Sequence, residues 1–277
     1  MNPTRRAAAC RRAVSTRGAA PRRRAARFAL LLAVCIPVFA APTDSVLEKH
    51  AFSLPSVGTL PYRLARPPAS APGKKFPLVV ILHGAGQRGT DNAQHLASVV
   101  PAFLAADIRA RHPSFIVAPQ CPPDVKWTAV NWQAIPPAPQ TAEPTYAMHL
   151  VLELIARLSA DLPIDNDRIY LVGVSMGGSG TWDLITRRPD LFAAAIPLCG
   201  GADAATGRRL AALPVWCFQG ARDDVVRPAL SRDMIAAIKA AGGAPRYTEF
   251  PDAGHEIAAE VFRDPAVIPW LFAQRRP

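Results

Sequence analysis

The chain has 277 residues, with 32 basic and 21 acidic side chains and a formal net charge of +11. Residues 1–40 contain nine arginines and no acidic residue, so residues 41–277 carry 23 basic and 21 acidic side chains. A net charge of about +2 over residues 41–277 removes the electrostatic basis for nucleic-acid binding, so no nucleic-acid partner is expected.

The first 40 residues have the pattern of a secretory signal peptide. Their arginines form a basic segment, and an apolar run follows at 28–39. The segment 38–40, which ends at Ala40, has small or modest residues at the positions that a signal peptidase needs. The apolar run is too short for a transmembrane helix and Pro37 interrupts it, so no stable membrane anchor is expected. Cys35 follows Val34, which fits a lipoprotein signal poorly. The sequence predicts export, with cleavage near Ala40 and a periplasmic or extracellular location.

Residues 41–277 are long enough for one α/β domain with a single core. Their three cysteines, Cys121, Cys199 and Cys217, allow at most one disulfide. Apolar neighbours favour small buried core residues over a redox or metal role, and no Cys/His pair has the spacing of metal ligands.

Short apolar runs alternate with helical patterns along the chain, which predicts a mostly parallel sheet covered by helices on both faces. The predicted strands are residues 58–65, 76–82, 115–118, 167–174, 192–198, 215–218 and 246–250. The predicted helices are residues 146–158, the segment from the end of strand 167–174 to Pro189, and residues 230–241.

Residues 121–145 interrupt this alternation. They contain six prolines, which prevent regular structure, together with Trp127 and Trp132. A loop of this length inside a domain is commonly functional. Trp127 and Trp132 either form a wall of the substrate site or pack the loop onto its own domain, and the sequence leaves both readings open.

The segment 173–177, Gly-Val-Ser-Met-Gly, follows a predicted strand and precedes a helix start. A serine in such a strand-to-helix turn is held in a strained backbone conformation, with its hydroxyl above the sheet edge. The glycines on either side leave room for the close approach of strand and helix. Ser175 is therefore the predicted nucleophile.

A serine hydroxyl needs a base to take its proton and an acid to orient that base, and after such a turn the acid and then the histidine follow along the chain. His255 is the only histidine after Ser175 and lies just beyond strand 246–250, so it is the predicted base. Asp223 and Asp224 follow an earlier strand. Asp223 is preferred as the acid, because an acidic residue followed by one residue and then by two valines is a common pattern at this turn. Asp224 is the alternative.

Acyl transfer also needs N–H donors for the negative oxygen of the tetrahedral intermediate. The N–H of Met176, at the positive end of the following helix, is one predicted donor. The second is expected from the loop of small residues after strand 76–82, where Ala85 is preferred and Gly86 is the alternative. His83 is expected to brace this loop.

These pieces resemble secreted α/β-hydrolases of the carboxylesterase, dienelactone hydrolase-like and poly(3-hydroxybutyrate) depolymerase-like group, including sequences described as predicted peptidases. The segments that carry the resemblance are residues 77–86, residues 118–121, the Ser175 turn, the Asp223 turn and Gly254-His255, and together they span roughly residues 58–272.

The resemblance implies the α/β-hydrolase fold, with a mostly parallel central sheet of about eight strands and helices on both faces. It also implies catalysis without a metal ion or organic cofactor. A dienelactone hydrolase proper uses cysteine as its nucleophile, so Ser175 disfavours that member of the group. Gln219 stands where many relatives carry histidine before a glycine, a change that need not affect the chemistry.

Together these residues predict an exported serine hydrolase that cleaves small-molecule or polymer carboxylic esters through an acyl-enzyme. A peptidase of the prolyl-oligopeptidase type is the alternative, weakened because no propeller domain is expected ahead of the catalytic domain. A non-catalytic binding module with the same fold is a further alternative, and the complete triad pattern argues against it. Acyl and alcohol specificity and the oligomeric state are left open.

Overall fold

The computed structural model describes residues 46–68, 73–129, 131, 134 and 138–276. The predicted signal peptide at residues 1–40 and the side chain of Trp132 lie outside these ranges. The expectations made for them therefore stay predictions.

Eight strands form one sheet. In chain order they are β1 (Glu48–Leu54), β2 (Gly58–Ala65), β3 (Phe76–Leu82), β4 (Phe115–Pro119), β5 (Ile164–Val174), β6 (Ala194–Leu198), β7 (Trp216–Gly220) and β8 (Arg246–Phe250). Their order across the sheet is β1-β2-β4-β3-β5-β6-β7-β8. The pairs β1–β2 and β2–β4 are antiparallel, and the pairs from β4 through β8 are parallel. The predicted mostly parallel sheet is confirmed.

Seven α-helices lie in the described part of the chain. They are α1 (Val100–Leu104), α2 (Ala106–Arg111), α3 (Tyr146–Asp161), α4 (Met176–Arg187), α5 (Pro228–Ala240), α6 (Ala258–Arg263) and α7 (Val267–Ala273). Short 3-10 helices cover Ala85–Gln87, Gln94–Leu96 and Ala204–Leu210. Among the described residues, no helix combines the length and apolar character needed to cross a membrane.

The core has two layers because successive side chains of a strand point to opposite faces of the sheet. Leu78 and Val80 of β3 lie in the layer shared with α3, α4 and α5. Their neighbours Val79 and Ile81 lie in the other layer, with α1, α6 and α7. Every residue of β3 is buried, as expected of a central parallel strand covered by helices on both faces.

The parallel strands place the ends of β3, β5, β7 and β8 at one edge of the sheet. In chain order, β3 is followed by His83, β5 by Ser175, β7 by Asp223 and β8 by His255. Residues far apart along the chain therefore meet at the carboxyl edge, where open α/β sheets carry their sites.

Several elements were not predicted from the sequence. β1 is an edge strand whose residues alternate between half-buried and exposed, and its first residues, Glu48-Lys49-His50, carry no apolar signal. α1 and α2 are short helices of five and six residues, too short to show a helical period. α6 and α7, near the end of the chain, are of similar length.

Candidate active site

Ser175 lies in the sharp turn between β5 and α4. Its backbone has φ 59° and ψ −119°, a left-handed conformation that costs energy for a residue with a side chain. The N–H of Ser175 donates to the carbonyl oxygen of Leu198 over 2.9 Å, and its own carbonyl accepts the N–H of Ser179 over 2.9 Å. The surrounding hydrogen bonds thus hold the strained conformation that the sequence motif predicts.

Two glycines make this turn possible. A Cβ on Gly173 would lie 2.2 Å from the carbonyl oxygen of Gly177. A Cβ on Gly177 would lie 2.0 Å from the carbonyl oxygen of Leu82, at the end of β3. Both distances are far inside van der Waals contact, so α4 can start this close to the sheet only with glycine at these positions.

The structure brings the side chains of Ser175, His255 and Asp223 together. His255 Nε2 lies 2.8 Å from Ser175 Oγ, and His255 Nδ1 lies 2.8 Å from Asp223 Oδ2. Because a carboxylate can only accept, Nδ1 carries the proton and Nε2 is free to accept the serine hydroxyl proton. This is the tautomer that a general base needs.

Asp223 and Asp224 occupy different environments. Asp223 is 5% exposed, and its Oδ1 accepts the N–H groups of Val225 and Val226 over 2.9 and 2.8 Å. Asp224 is exposed. The structure therefore places Asp223, the preferred residue, against the imidazole and turns Asp224 towards solvent.

The charges of this pair reinforce each other. Burial favours neutral Asp223, but the hydrogen bonds from His255 and from two backbone N–H groups lower its pKa below the ordinary value. Burial also disfavours protonated His255, but the hydrogen bond and charge of Asp223 raise the pKa of His255 above 6.5, with smaller contributions from Glu256 and Asp224. The aspartate stays ionised, and the imidazole is a stronger base than usual.

The two predicted oxyanion donors lie close to the serine. Met176 is the first residue of α4, and Ala85 begins the 3-10 helix after β3. As the first residues of their helices, both have N–H groups without an intrahelical acceptor, and neither donates to another backbone carbonyl among the described residues. Gly84 packs against the turn, since a Cβ built on it would lie 3.6 Å from Ser175 Cβ. Free N–H groups beside the hydroxyl are what a developing oxyanion requires.

His83 braces this loop. Its Nδ1–H donates to the carbonyl oxygen of Gly84 over 2.7 Å, and its Nε2 accepts the N–H of Cys121 over 2.9 Å. Burial lowers the pKa of His83 to about 4, so the ring is neutral and both hydrogen bonds persist near neutral pH. His83 thereby ties the end of β3 to the residues that follow β4.

The structure decides between the two readings of Trp127 and does not support its assignment to the substrate site. Its side chain is fully buried, and its Nε1–H donates to the carbonyl oxygen of His83 over 3.1 Å. The indole ring also lies edge-on to the His83 ring, with centroids 5.2 Å apart. Trp127 therefore packs the loop onto its own domain and does not form a wall of the substrate site.

Two polar residues beside the triad were not predicted as site residues, although Gln219 was noted at the end of its strand. Gln219 Nε2 lies 2.8 Å from Asp223 Oδ2, and Ser231 Oγ lies 2.8 Å from Gln219 Oε1. Both side chains are completely buried. The available signal was a glutamine at the end of an apolar strand, since a buried amide must find hydrogen-bond partners.

The cysteines Cys121, Cys199 and Cys217 are all free and buried. Burial raises the pKa of Cys121 and Cys217 to about 12, so these thiols are not nucleophiles near neutral pH. Cys199 Sγ lies within 4.8 Å of potential ligand atoms of Asp223 and His255. The Asp223 and His255 side chains already form a hydrogen bond with each other. The Cys199 thiol contacts the backbone carbonyl oxygen of His255 at 3.4 Å.

Comparisons with known proteins bear on the family and the fold of the chain. The model of the Esterase family, described as "Putative esterase", matches residues 59–262. A solved structure described as a thermostable esterase is 36% identical, with a TM-score of 0.75. The alignment covers 84% of this chain and 64% of that one, so this chain spans a little under two thirds of its length.

Two further structures share the fold at low identity. One, described as a "putative dipeptidyl aminopeptidase IV from Bacteroides ovatus", is 15% identical with a TM-score of 0.59, covering 81% of this chain and 34% of that one. The other is an acylaminoacyl peptidase in complex with Z-Gly-Gly-Phe-chloromethyl ketone, 15% identical with a TM-score of 0.53, covering 76% of this chain and 38% of that one. No curated protein sequence matches the chain. The fold is that of the α/β-hydrolases, as the sequence predicts.

Proposed function

The chain belongs to the esterase family, and we propose that it is a serine hydrolase that cleaves carboxylic esters through an acyl-enzyme intermediate. The observation that carries this proposal is the hydrogen-bonded series Ser175 Oγ, His255 and Asp223, with 2.8 Å at each step. The strained backbone at Ser175 and the two free N–H groups beside it support the same chemistry.

In the first half of the reaction, His255 Nε2 takes the proton of Ser175 as Oγ bonds to the ester carbonyl carbon. The electron pair of the C=O double bond moves to oxygen, and the N–H groups of Met176 and Ala85 donate to the resulting oxyanion. Asp223 holds the imidazolium by its Nδ1–H and offsets its charge. When the C–O bond to the alcohol breaks, His255 returns the proton to the leaving oxygen.

In the second half, the same groups act on water. His255 Nε2 takes a proton from a water molecule as its oxygen bonds to the acyl carbon. The second tetrahedral intermediate collapses, the bond to Ser175 Oγ breaks, and the serine recovers its proton from His255. The products are a carboxylic acid and an alcohol, and no redox partner is needed.

Replacement of the nucleophile tests the proposal directly. The variant Ser175→Ala should lower kcat for p-nitrophenyl acetate by about a thousandfold or more, because the triad acts as a unit. Ser53→Ala, at an exposed position of β1, is the matched control and should keep the native rate. Ser175→Ala should also lose labelling by a fluorophosphonate probe. A native rate or native labelling in Ser175→Ala would refute the proposal.

Substrate class is tested with paired leaving groups. The same protein is assayed with an aryl ester and with a proline-containing anilide. Ester turnover that exceeds anilide turnover supports the esterase. Faster turnover of the anilide would favour a peptidase, whose amide leaving group needs stronger protonation by His255.

We also propose that the protein is exported and that cleavage occurs near Ala40. The basic segment followed by the apolar run at 28–39 supports this proposal. Mass spectrometry of protein recovered from the periplasm or medium should give an N-terminus close to residue 41. A chain that keeps its first residues and stays inside the cell would contradict it.

A further inference from the structure

The side-chain amide of Gln219, the fourth residue of β7, faces the carboxylate of Asp223. Its Nε2 lies 2.8 Å from Asp223 Oδ2 and 3.2 Å from the carbonyl oxygen of Val226. Both of these atoms can only accept hydrogen bonds, so the amide orientation is determined: the NH₂ group faces Asp223. The oxygen of Asp223 that Gln219 binds is the same one that binds His255 Nδ1.

The other end of the amide is held by α5. Ser231 Oγ lies 2.8 Å from Gln219 Oε1 and 3.2 Å from the carbonyl oxygen of Gly200. The hydroxyl has one proton, and its shorter contact is to the amide. Since Ser231 and Gln219 are fully buried, no bulk water is available to replace either partner.

We propose that Gln219 is a positioning residue for the triad: oriented by Ser231, it donates to Asp223 Oδ2 and so sets both the direction and the charge of the acid that faces His255. This inference rests on the proposed hydrolase function. It assigns a role in catalysis to a strand residue that touches neither the substrate nor the reacting serine.

The consequence for His255 follows from the charge on Asp223. A donor at Oδ2 draws electron density from the carboxylate and shares the oxygen with the imidazole. If the donor is lost, more negative charge is felt at Nδ1, and the pKa of His255 rises. The other ionisable groups that face this pair are Glu256, Asp224 and the Cys199 thiol, and they are unchanged by replacement of Gln219.

The variants Gln219→Met and Gln219→Glu distinguish the role of the Gln219 N–H donor from the role of its side-chain shape. Gln219→Met keeps the length but removes the donor, so kcat should fall about tenfold with little change in KM. The acidic limb of the kcat/KM profile should move to higher pH. Gln219→Glu keeps the side-chain shape but brings a second carboxylate to Asp223. When both carboxylates are ionised, the acidic limb should move further to higher pH than in Gln219→Met, by about one pH unit or more.

A second position and a distant control complete the test. Ser231→Ala leaves the Gln219 donor in place but frees its orientation, so it should give a smaller shift in the same direction. In the double variant with Gln219→Met the two effects should not add, because both act through one hydrogen-bonded series. Gln274→Glu adds the same negative charge near the opposite edge of the sheet, where Arg276 binds Asp167, and should leave the profile unchanged.

Two results would overturn the inference. One is a folded Gln219→Met enzyme with native kcat and a native acidic limb, because an amide with only a packing role tolerates the loss of its N–H donor. The other, which applies if Gln219 variants fail to fold, is a Ser231→Ala enzyme with native kcat and a native profile. Failure of the proposed function is seen separately, as retained activity in Ser175→Ala.

Discussion

The indole N–H of Trp127 donates to the backbone carbonyl oxygen of His83 over 3.1 Å, so a side chain of the proline-rich loop holds the end of β3. Gly180 of α4 packs on the same tryptophan, since a Cβ built on Gly180 would lie 2.6 Å from Trp127 Cβ. One buried tryptophan side chain therefore connects the loop, the strand that leads to Ala85 and the helix that starts after Ser175.

Loss of this hydrogen bond should affect both stability and rate. The variant Trp127→Phe keeps an aromatic ring but leaves the carbonyl oxygen of His83 without its donor, and the free energy of unfolding should fall by about 1–3 kcal/mol. Because Ala85 follows two residues later, kcat should fall more than KM changes. Trp270→Phe, in α7 on the opposite layer, is the control for removal of an indole. Urea unfolding and ester kinetics provide the measurements, and a Trp127→Phe enzyme with native kcat would argue against this coupling.

The two neighbouring aspartates should differ sharply. Asp223→Asn removes the buried charge that selects the imidazole tautomer, and kcat should fall by about three to four orders of magnitude. Asp224→Asn changes an exposed side chain, so kcat should stay close to the native value. Both variants have the same change in charge and size, which makes them matched. A larger loss of activity in Asp224→Asn would reassign the acid.

Activity should depend on the protonation of His255. Its pKa lies above 6.5 because the hydrogen bond and charge of Asp223 outweigh the cost of burial. Only the neutral ring can accept the proton of Ser175, so kcat/KM should be constant at alkaline pH and decline as the pH falls through a value above 6.5. Stopped assays from pH 5 to 9 would locate this limb, and a midpoint well below 6.5 is the contrary result.

The close approach of α4 to β3 predicts which glycine tolerates a methyl group. In Gly177→Ala the new Cβ would fall 2.0 Å from the carbonyl oxygen of Leu82, so the backbone must move and stability should fall by about 3 kcal/mol or more. Gly86→Ala meets no atom within 4 Å and should unfold at nearly the native denaturant concentration. Equal midpoints for the two variants in guanidinium unfolding would be inconsistent with the packing described.

His95 should make the fold sensitive to acid. Burial lowers its pKa to about 4, while the unfolded chain has the ordinary value of 6.5. Between these values the unfolded state binds more protons, so stability is complete above pH 6.5 and is lost as the pH falls towards 4, by as much as about 3 kcal/mol. His95→Gln should remove about half of the decline, because burial also lowers the pKa of His83 to about 4, whereas His149→Gln, at an exposed position, should not change it. Unfolding free energies at pH 7 and pH 4.5 give the comparison.

Much of the fold could be predicted because its signals are local. The central strands are continuous apolar runs, and β2, β3 and β8 have the predicted bounds. β1 escaped prediction because an edge strand with one solvated face needs no apolar run, and its register is set by its partner β2. Trp127 could not be assigned because an aromatic residue in a proline-rich loop is equally suited to a binding wall and to a core.

The sequence by itself determined the candidate nucleophile and base, because a glycine pair around Ser175 and a lone later histidine leave few other choices. Only the tertiary structure decided between Asp223 and Asp224, since adjacent residues differ in burial and not in chemistry. It also revealed the buried series from Ser231 through Gln219 to Asp223, whose members come from different elements. Hydrogen bonds act over about 3 Å in space whatever the separation along the chain, so such a series has no signature in the order of residues.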